Sequence, residues 1–287
     1  MCGLTGYLST QGATSPPEIL LSKMAAAIAH RGPDNSGTWY DLQAGIGLAH
    51  RRLSILDLSP AGHQPMHAAS GRYVMVFNGE IYNHNKLRAE LEQTGQVPAW
   101  RGHSDTETLL ACFEVWGIEA TLQRSIGMFA IAVWDRKTLT LTLTRDRIGE
   151  KPLYYGWQGD TFLFGSELKA LKTHPAFRPE IDRNALCLYM RHNYIPAPYS
   201  INQGIAKLLP GCLLSVSLEQ RKPQIKTYWS GAETAVRGKF QPFNGSAEDA
   251  VTALESLLKD AIGQQMIADV PLGAFLSGGI DSSTVVA

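Results

Sequence analysis

Cysteine is scarce in this chain. Its four cysteines in 287 residues form no Cys-x-x-Cys pair and match no zinc-ligand spacing, which excludes a disulfide framework and a thiolate metal cluster. Cys2, Cys112, Cys187 and Cys212 therefore read as free thiols of a reducing compartment. An excess of one charge is missing too, since Lys+Arg and Asp+Glu both number 26. No net field draws such a chain to nucleic acid or to an anionic membrane. The opening MCGLTGYLST lacks the basic flank and long apolar run of a secretory leader. No stretch reaches the apolar length of a membrane span. The expectation is a cytoplasmic protein with neither a membrane nor a nucleic-acid partner. His30, His50, His63 and His84 are scattered, so no metal site is expected and none of them is assigned a catalytic role.

What is present is an apolar fraction of 44%, enough for a sizeable core, in a length that calls for one large domain or two smaller ones. Gly3–Ser9 reads as a short buried strand. Ser15 as N-cap and Pro16 at the first position open a helix with Leu20, Met24, Ala27 and Ile28 on one face. The turn-rich Arg31–Gly37 breaks it. Strands are expected at Gly45–His50 and Arg72–Phe77, then helices near Asn85–Gln93 and Asp105–Trp116, the second with a capping-box pattern in Ser104 and Glu107. From Met128 to Ser166 β-branched and aromatic runs separated by turns predict strands, and Cys212–Trp229 closes with a hairpin. Strand runs interleaved with helix pairs imply sheets with helices outside. Residues 1–229 are thus taken as one domain and the polar, irregular 230–245 as a linker. A second fold starts at 246 with an amphipathic helix bearing Val251, Leu254, Leu258, Ile262 and Met266. Val270–Leu276 reads as a strand leading into a glycine turn and a new helix. The chain stops inside that helix, at Thr284–Ala287, as a piece cut within a second domain would.

Cys2 follows the initiator methionine. Removal of Met1 would leave one residue with both a thiol (pKa ~8.5) and an α-amine (pKa ~7.7–8.0) that can take its proton. That is an N-terminal nucleophile, in which the residue's own amine replaces a separate histidine. Gly3 would let a substrate approach the backbone closely. Read alone, Cys2 could equally be a cysteine that merely stands second.

Ser277-Gly278-Gly279-Ile280-Asp281-Ser282-Ser283 is the second strong signal. Paired glycines can wrap a phosphate, and a following helix aims its N–H groups at the anion. The absence of a Gly-Lys-Ser/Thr ending argues against γ-phosphate transfer. Elsewhere the residues leave their alternatives open. Arg51 and Arg52 could hold a carboxylate through paired hydrogen bonds, or be surface ion-pair partners. Asn78 and Gly79 could offer N–H donors to a developing oxyanion, with Glu80 accepting from an ammonium, yet Asn-Gly is by default a hairpin turn. Asp105 at a helix start could simply favour the dipole.

MCGLTGY, HRGPDNSG, AHRRLSILDLSPAGHQPM, VFNGEIYNH, SDTE, GMFAIAVWD, RDRIGEKPLYYG, FGSELKAL, IPAPYSI, LLPG and VPLGAFLSGGIDSS run in order along the chain. Together they resemble the glutamine-hydrolysing asparagine synthetases and their amidotransferase relatives. The resemblance implies an α+β fold: an αββα N-terminal-nucleophile hydrolase sandwich, followed by the start of an α/β adenine-nucleotide domain with a pyrophosphate loop. It makes Cys2 the nucleophile and gives the oxyanion hole to Asn78 and Gly79. Arg52 would clamp the glutamine α-carboxylate beside Leu53, Ser54, Ile55 and Leu56, while Glu80 and Asp105 would accept from its α-amine. Leu276, Ser277, Gly278, Gly279, Asp281 and Ser282 would lie along ATP, with Asp281 near magnesium and pyrophosphate.

The implied activity is a glutamine-dependent amidoligase. Ammonia freed at Cys2 would amidate an adenylated carboxylate, aspartate first among the acceptors. The stretch RHNYIPAPYSINQGIAKLL also resembles amidotransferases of surface-polysaccharide biosynthesis, where a sugar carboxylate is the acceptor. A phosphosugar amidotransferase without an ATP loop is disfavoured by SGGIDSS, and a non-catalytic module by the intact Cys2, Arg52, Asn78 and Asp105. Family members are often homodimers, and the residues here do not decide the oligomeric state.

Overall fold

A computed structural model of the chain describes residues 2–10, 16–95, 97 and 99–287. Two six-stranded antiparallel sheets dominate it. The first contains β1 (Gly3–Ser9), β2 (Asn35–Asp41), β3 (Ile46–Arg52), β8 (Tyr154–Gln158), β9 (Thr161–Gly165) and β10 (Ala206–Lys207), in the order β10-β8-β9-β1-β3-β2. The second contains β4 (Met66–His67), β5 (Tyr73–Ile81), β6 (Gly127–Asp135), β7 (Thr140–Arg145), β11 (Cys212–Val216) and β12 (Gln224–Thr227), in the order β12-β11-β7-β6-β5-β4.

Strand side chains alternate between faces, so each strand feeds two layers. Leu4 and Leu8 of β1, Ile46 and Leu48 of β3, Val74 and Val76 of β5 and Ala130, Ala132 and Trp134 of β6 meet between the sheets. The intervening Met75, Phe77, Phe129, Ile131 and Val133 face outward. They pack on α2 (His84–Thr94), α3 (Asp105–Trp116) and α4 (Ile118–Arg124). On the far side Tyr7, Ala49 and Leu163 pack against α1 (Pro17–Ala26) and α5 (Leu168–Lys172). The result is the four-layered αββα sandwich the resemblance implied. Full burial of a side chain such as Leu48 is worth about 1.5–3 kcal/mol, and truncating it to Ala costs about 2–5 kcal/mol once the cavity is included.

Several local expectations need correction. Pro16 is the N-cap of α1 and Pro17 its first residue, so the start lies one position later than expected; Ser15 is outside the described residues. The Arg31–Gly37 stretch ends in strand rather than turn, because β2 pairs with β3 from Asn35 onward. The expected Arg72–Phe77 strand runs on to Ile81, which carries Asn78 and Gly79 into the sheet opposite Ala130 and Phe129. Asn-Gly here is therefore not a hairpin turn. Ser104 caps α3 by accepting from the Glu107 N–H, but Glu107 turns its carboxylate to the Arg101 and Gly102 N–H groups, so the reciprocal half of the capping box is absent. Within the expected linker, Ser230 accepts from the Glu233 N–H and caps α7 (Gly231–Phe240).

Beyond α6 (Arg183–His192) and α7, the chain continues into α8 (Ala247–Gln265), closed by a capping box between Ser246 and Asp249, and α9 (Ile280–Val286). Val270–Leu276 is not a strand. It pairs with no other described segment, and an apolar strand without a neighbour to satisfy its N–H and C=O groups has nothing to join. From Gly231 onward no residue is buried, and the apolar stripe of α8 at Val251, Leu254, Leu258 and Met266 faces outward.

Candidate active site

The period of two that builds the inter-sheet core also builds the site at its edge. Cys2 continues the inward register of Leu4 and Leu8 past the end of β1, and Arg52 continues that of Leu48 and His50 at the end of β3. Asn78 and Glu80 continue that of Val74 and Val76 on β5. Where apolar side chains give way to these, the sheets part around a pocket. It is lined by Cys2, Arg52, Leu53, Ile55, Leu56, Gly62, Gln64, Phe77, Asn78, Gly79, Glu80, Ser104, Asp105, Thr106, Met128 and Lys151.

Cys2 is held from both sides. Its sulfur lies 3.3 Å from the Leu53 nitrogen, whose N–H it accepts, and its carbonyl accepts the Arg31 Nε–H at 2.9 Å. Arg31 is itself fixed by Glu167 at 2.9 Å. Burial pushes the thiol above its ordinary pKa, with the Leu53 amide and Arg52 opposing. At neutral pH the sulfur is thus a thiol that needs a base. Gly3 has a different role from the one expected. An added Cβ would lie 2.9 Å from Ile28 Cδ1 and 3.1 Å from Arg31 Cδ, so the missing side chain admits Arg31 and Ile28, not a substrate.

Arg52 is buried, and its guanidinium is held by carbonyls: Nη1 donates to Ser59 O at 3.3 Å, and Nη2 to Leu56 O at 3.2 Å and to Asp57 O. Among the described residues no carboxylate pairs with it. Carbonyls orient a guanidinium without neutralising it, so its charge is left for an anion in the pocket. Gly62 makes room, since a Cβ there would sit 2.0 Å from Nη2. Arg51 turns away to the Gly32 carbonyl.

Asn78 is 1% exposed, and neither its Nδ2 nor its Oδ1 has a partner among the described residues. Buried amides are rarely left so, and an unpaired one aimed into a pocket marks a place for a ligand atom. Gly79 is dictated by packing, because a Cβ would meet the Met128 carbonyl at 2.1 Å.

Acid gathers on another wall. Ser104 caps α3 and so sets Asp105 at its first residue, where Oδ2 accepts the Ile81 N–H at 2.9 Å. Burial raises the Asp105 pKa to about 6 against that bond and those from Thr106, with Glu80 adding to the rise. Burial also raises Glu80, with Lys151 opposing.

The structure thus brings Cys2, Arg52, Leu53, Ile55, Leu56, Asn78, Gly79, Glu80 and Asp105 to one pocket. Ser54 is not in its lining; its N–H donates to Asp34 Oδ2 at 2.8 Å. Gln64, Lys151 and Thr106 were not foreseen. Gln64 accepts the Phe77 N–H at 2.6 Å and donates to Thr106 Oγ1 at 3.3 Å, bracing β5 beside Asn78. His50 braces β5 from below, its neutral ring donating to the Phe77 carbonyl at 2.9 Å, and burial lowers its pKa to about 3. Only the inward register of β3, readable as alternation through Leu48, could have pointed to His50.

Leu276, Ser277, Gly278, Gly279, Asp281 and Ser282 form a separate turn that does not line this pocket. Ser277 and Ser282 hydroxyls are 2.9 Å apart, and Gly278 holds φ +78°, where a side chain would be strained. Nothing lies within 4 Å of where its Cβ would be. An open turn of small and hydroxylic residues with one carboxylate, Asp281, fits a magnesium-bound polyphosphate in its chemistry.

Fold and pocket together define a class, the N-terminal-nucleophile sandwich of class II glutamine amidotransferases. Residues 1–229 match the glutamine amidotransferase domain family, and the chain belongs to it. Residues 253–287 match a second family, asparagine synthase. A putative glutamine-hydrolysing asparagine synthetase of Mycobacterium tuberculosis is 37% identical over 304 residues, covering 100% of this chain and 45% of that protein. Asparagine synthetase 3 of Bacillus subtilis is 34% identical, again over 100% of this chain and 45% of its own length. The chain therefore spans about half the length of these curated relatives. Among solved structures, the glutamine phosphoribosylpyrophosphate amidotransferase of B. subtilis shares the fold, with a TM-score of 0.57 at 17% identity over 79% of this chain and 49% of that one. No helix among the described residues is long and apolar enough to cross a membrane.

Proposed function

We propose that residues 1–229 hydrolyse glutamine to glutamate and ammonia, with Met1 removed and Cys2 as the nucleophile. The observation that carries this reading is the convergence on one pocket of a half-buried cysteine, two carboxylates and, with no such partner among the described residues, an arginine lacking an acid and an unpaired amide. A zwitterionic amino acid needs a cation for its carboxylate and anions for its ammonium. Arg52 supplies the first, Glu80 and Asp105 the second. The Cys2 α-amine takes the thiol proton as sulfur attacks the amide carbon. Asn78 Nδ2 and the Gly79 N–H receive the oxygen that becomes anionic. The intermediate collapses to a thioester, the proton passing to the leaving ammonia, and water then releases glutamate.

The synthetase half of the proposal rests on the relatives' names and on residues 253–287. In the longer proteins ammonia would attack a carboxylate activated by ATP as its acyl-adenylate, releasing AMP, with aspartate as acceptor. Leu276 to Ser282 would contact the nucleotide. Glutamate release by the purified chain, lost in Cys2→Ala, tests the first half. In the longer protein, Cys2→Ala should keep ammonia-driven amidation of aspartate while losing glutamine use, and loss of both together would contradict the division of labour.

A further inference from the structure

One cluster outside the pocket ties the chain's last segment to the pocket wall. The Asp269 N–H donates to Ile55 O at 2.9 Å. Its Oδ2 accepts the Asp57 N–H at 2.7 Å and faces His103 Nε2, also at 2.7 Å. Asp57 is the hub: it is 1% exposed, Oδ1 accepts the Ser59 N–H at 3.2 Å, and Oδ2 accepts the His103 N–H at 2.9 Å. Asp57 also holds φ +53°, a left-handed conformation that costs a residue with a Cβ about 1–2 kcal/mol and persists only where its surroundings impose it. Its two backbone groups link the Asp269 segment to the arginine. The N–H is bonded to Asp269, and the C=O to the Arg52 guanidinium.

We propose that Asp269 is a positioning residue for the glutamine pocket: by anchoring the Ile55–Asp57 backbone it sets the carbonyls that aim Arg52. The proposal rests on the reading of that pocket as a glutamine site. It assigns a task to the residue just before Val270–Leu276, the segment that leads into Ser277–Ser283, so that the two halves of the chain meet at the arginine clamp. A carboxylate accepting backbone and imidazole donors is a charge-assisted contact, stronger than the neutral bonds around it. His103 faces Asp57 and Asp269, which favour its protonated form, and Arg88, which opposes it. His84, whose ring has no hydrogen-bond partner among the described residues, borders the same cluster. Gly102 completes the fit, since a Cβ there would lie 2.1 Å from Asp57 Oδ2.

The test compares wild type, Asp269→Ala and Asp269→Asn in the 287-residue chain by steady-state glutamate release and by amide hydrogen exchange of residues 53–59. Asp269→Ala should raise the KM for glutamine about tenfold with kcat within about twofold, the pattern of lost uniform binding, and should speed exchange in 53–59 by a similar factor. Asp269→Asn keeps an acceptor for the Asp57 N–H and should restore both to within about threefold of wild type. Wild-type KM and exchange in Asp269→Ala would overturn the proposal, as would a parallel fall in kcat that Asn does not rescue. A wild type releasing no glutamate would overturn the glutamine reading instead, and the exchange comparison would still decide whether Asp269 anchors the loop.

Discussion

Asn78→Ala separates catalysis from stability in an unusual way. Removing a buried polar side chain normally destabilises a fold, because its partner is left unsatisfied. Among the described residues Asn78 has no partner to abandon: both amide atoms are buried and unpaired, and the side chain lines an open pocket, so truncation leaves no closed cavity. An unpaired buried amide costs about 1–3 kcal/mol, so its removal should leave the unfolding free energy unchanged or raise it by roughly 1 kcal/mol. If the amide donates to the oxyanion, the same change should cost about 2.7–4 kcal/mol in the transition state, a 10²–10³-fold fall in kcat. The glutamine KM should barely move, because the contact forms only as charge develops. Glutamate release and urea unfolding on the same sample measure both. A variant with near-normal kcat and a loss of more than about 1 kcal/mol in stability would make Asn78 an ordinary core residue and refute the reasoning.

Arg52→Lys keeps the charge but not the planar fork held by Leu56, Asp57 and Ser59, so glutamine KM should rise about tenfold or more with kcat largely kept. Asp105 must be a carboxylate to accept an ammonium, and with a pKa raised to about 6 it is protonated below that pH. Glutamine kcat/KM should therefore fall as pH drops through about 6, and Asp105→Asn should lower the plateau and remove that limb. Because the folded-state value lies above the unfolded one, Asp105 favours the folded state as pH falls from about 6 towards ~3.9, opposite in sign to its effect on binding. Gly79→Ala drives a methyl into the Met128 carbonyl and should cost about 1–3 kcal/mol, seen as a lower urea midpoint.

Much of the sandwich could be read from sequence because its strands obey a period of two and its helices carry caps. β1 falls at the expected Gly3–Ser9, β8 and β9 lie within the β-branched and aromatic run expected to be strands, and α3 starts at the residue Ser104 announces. What failed was decided by partners distant in sequence. Asn78-Gly79 is a turn by local preference, but β6 lies alongside and its pairing carries the strand onward. Asn35–Gly37 likewise looks like a turn until β3 is beside it. Val270–Leu276 has strand composition and no described strand to pair with. In the pocket, the residues foreseen were those whose side-chain chemistry suggested a role. Gln64 and Lys151 also lie in recognisable segments, but in loops where no periodicity says which way a side chain turns, and Asp269 is tied to Asp57 across 212 positions.

Glutamine hydrolysis in this pocket depends first on the identity of the nucleophile. The purified chain should be treated with an electrophilic glutamine analogue, such as a diazoketone, and its N-terminal peptide read by mass spectrometry. One adduct is expected, on the sulfur of Cys2, in a peptide that begins at Cys2 without Met1, and it should be absent in Arg52→Ala at the same analogue concentration. A peptide that retains Met1, or labelling at Cys187 with Cys2 untouched, would contradict it.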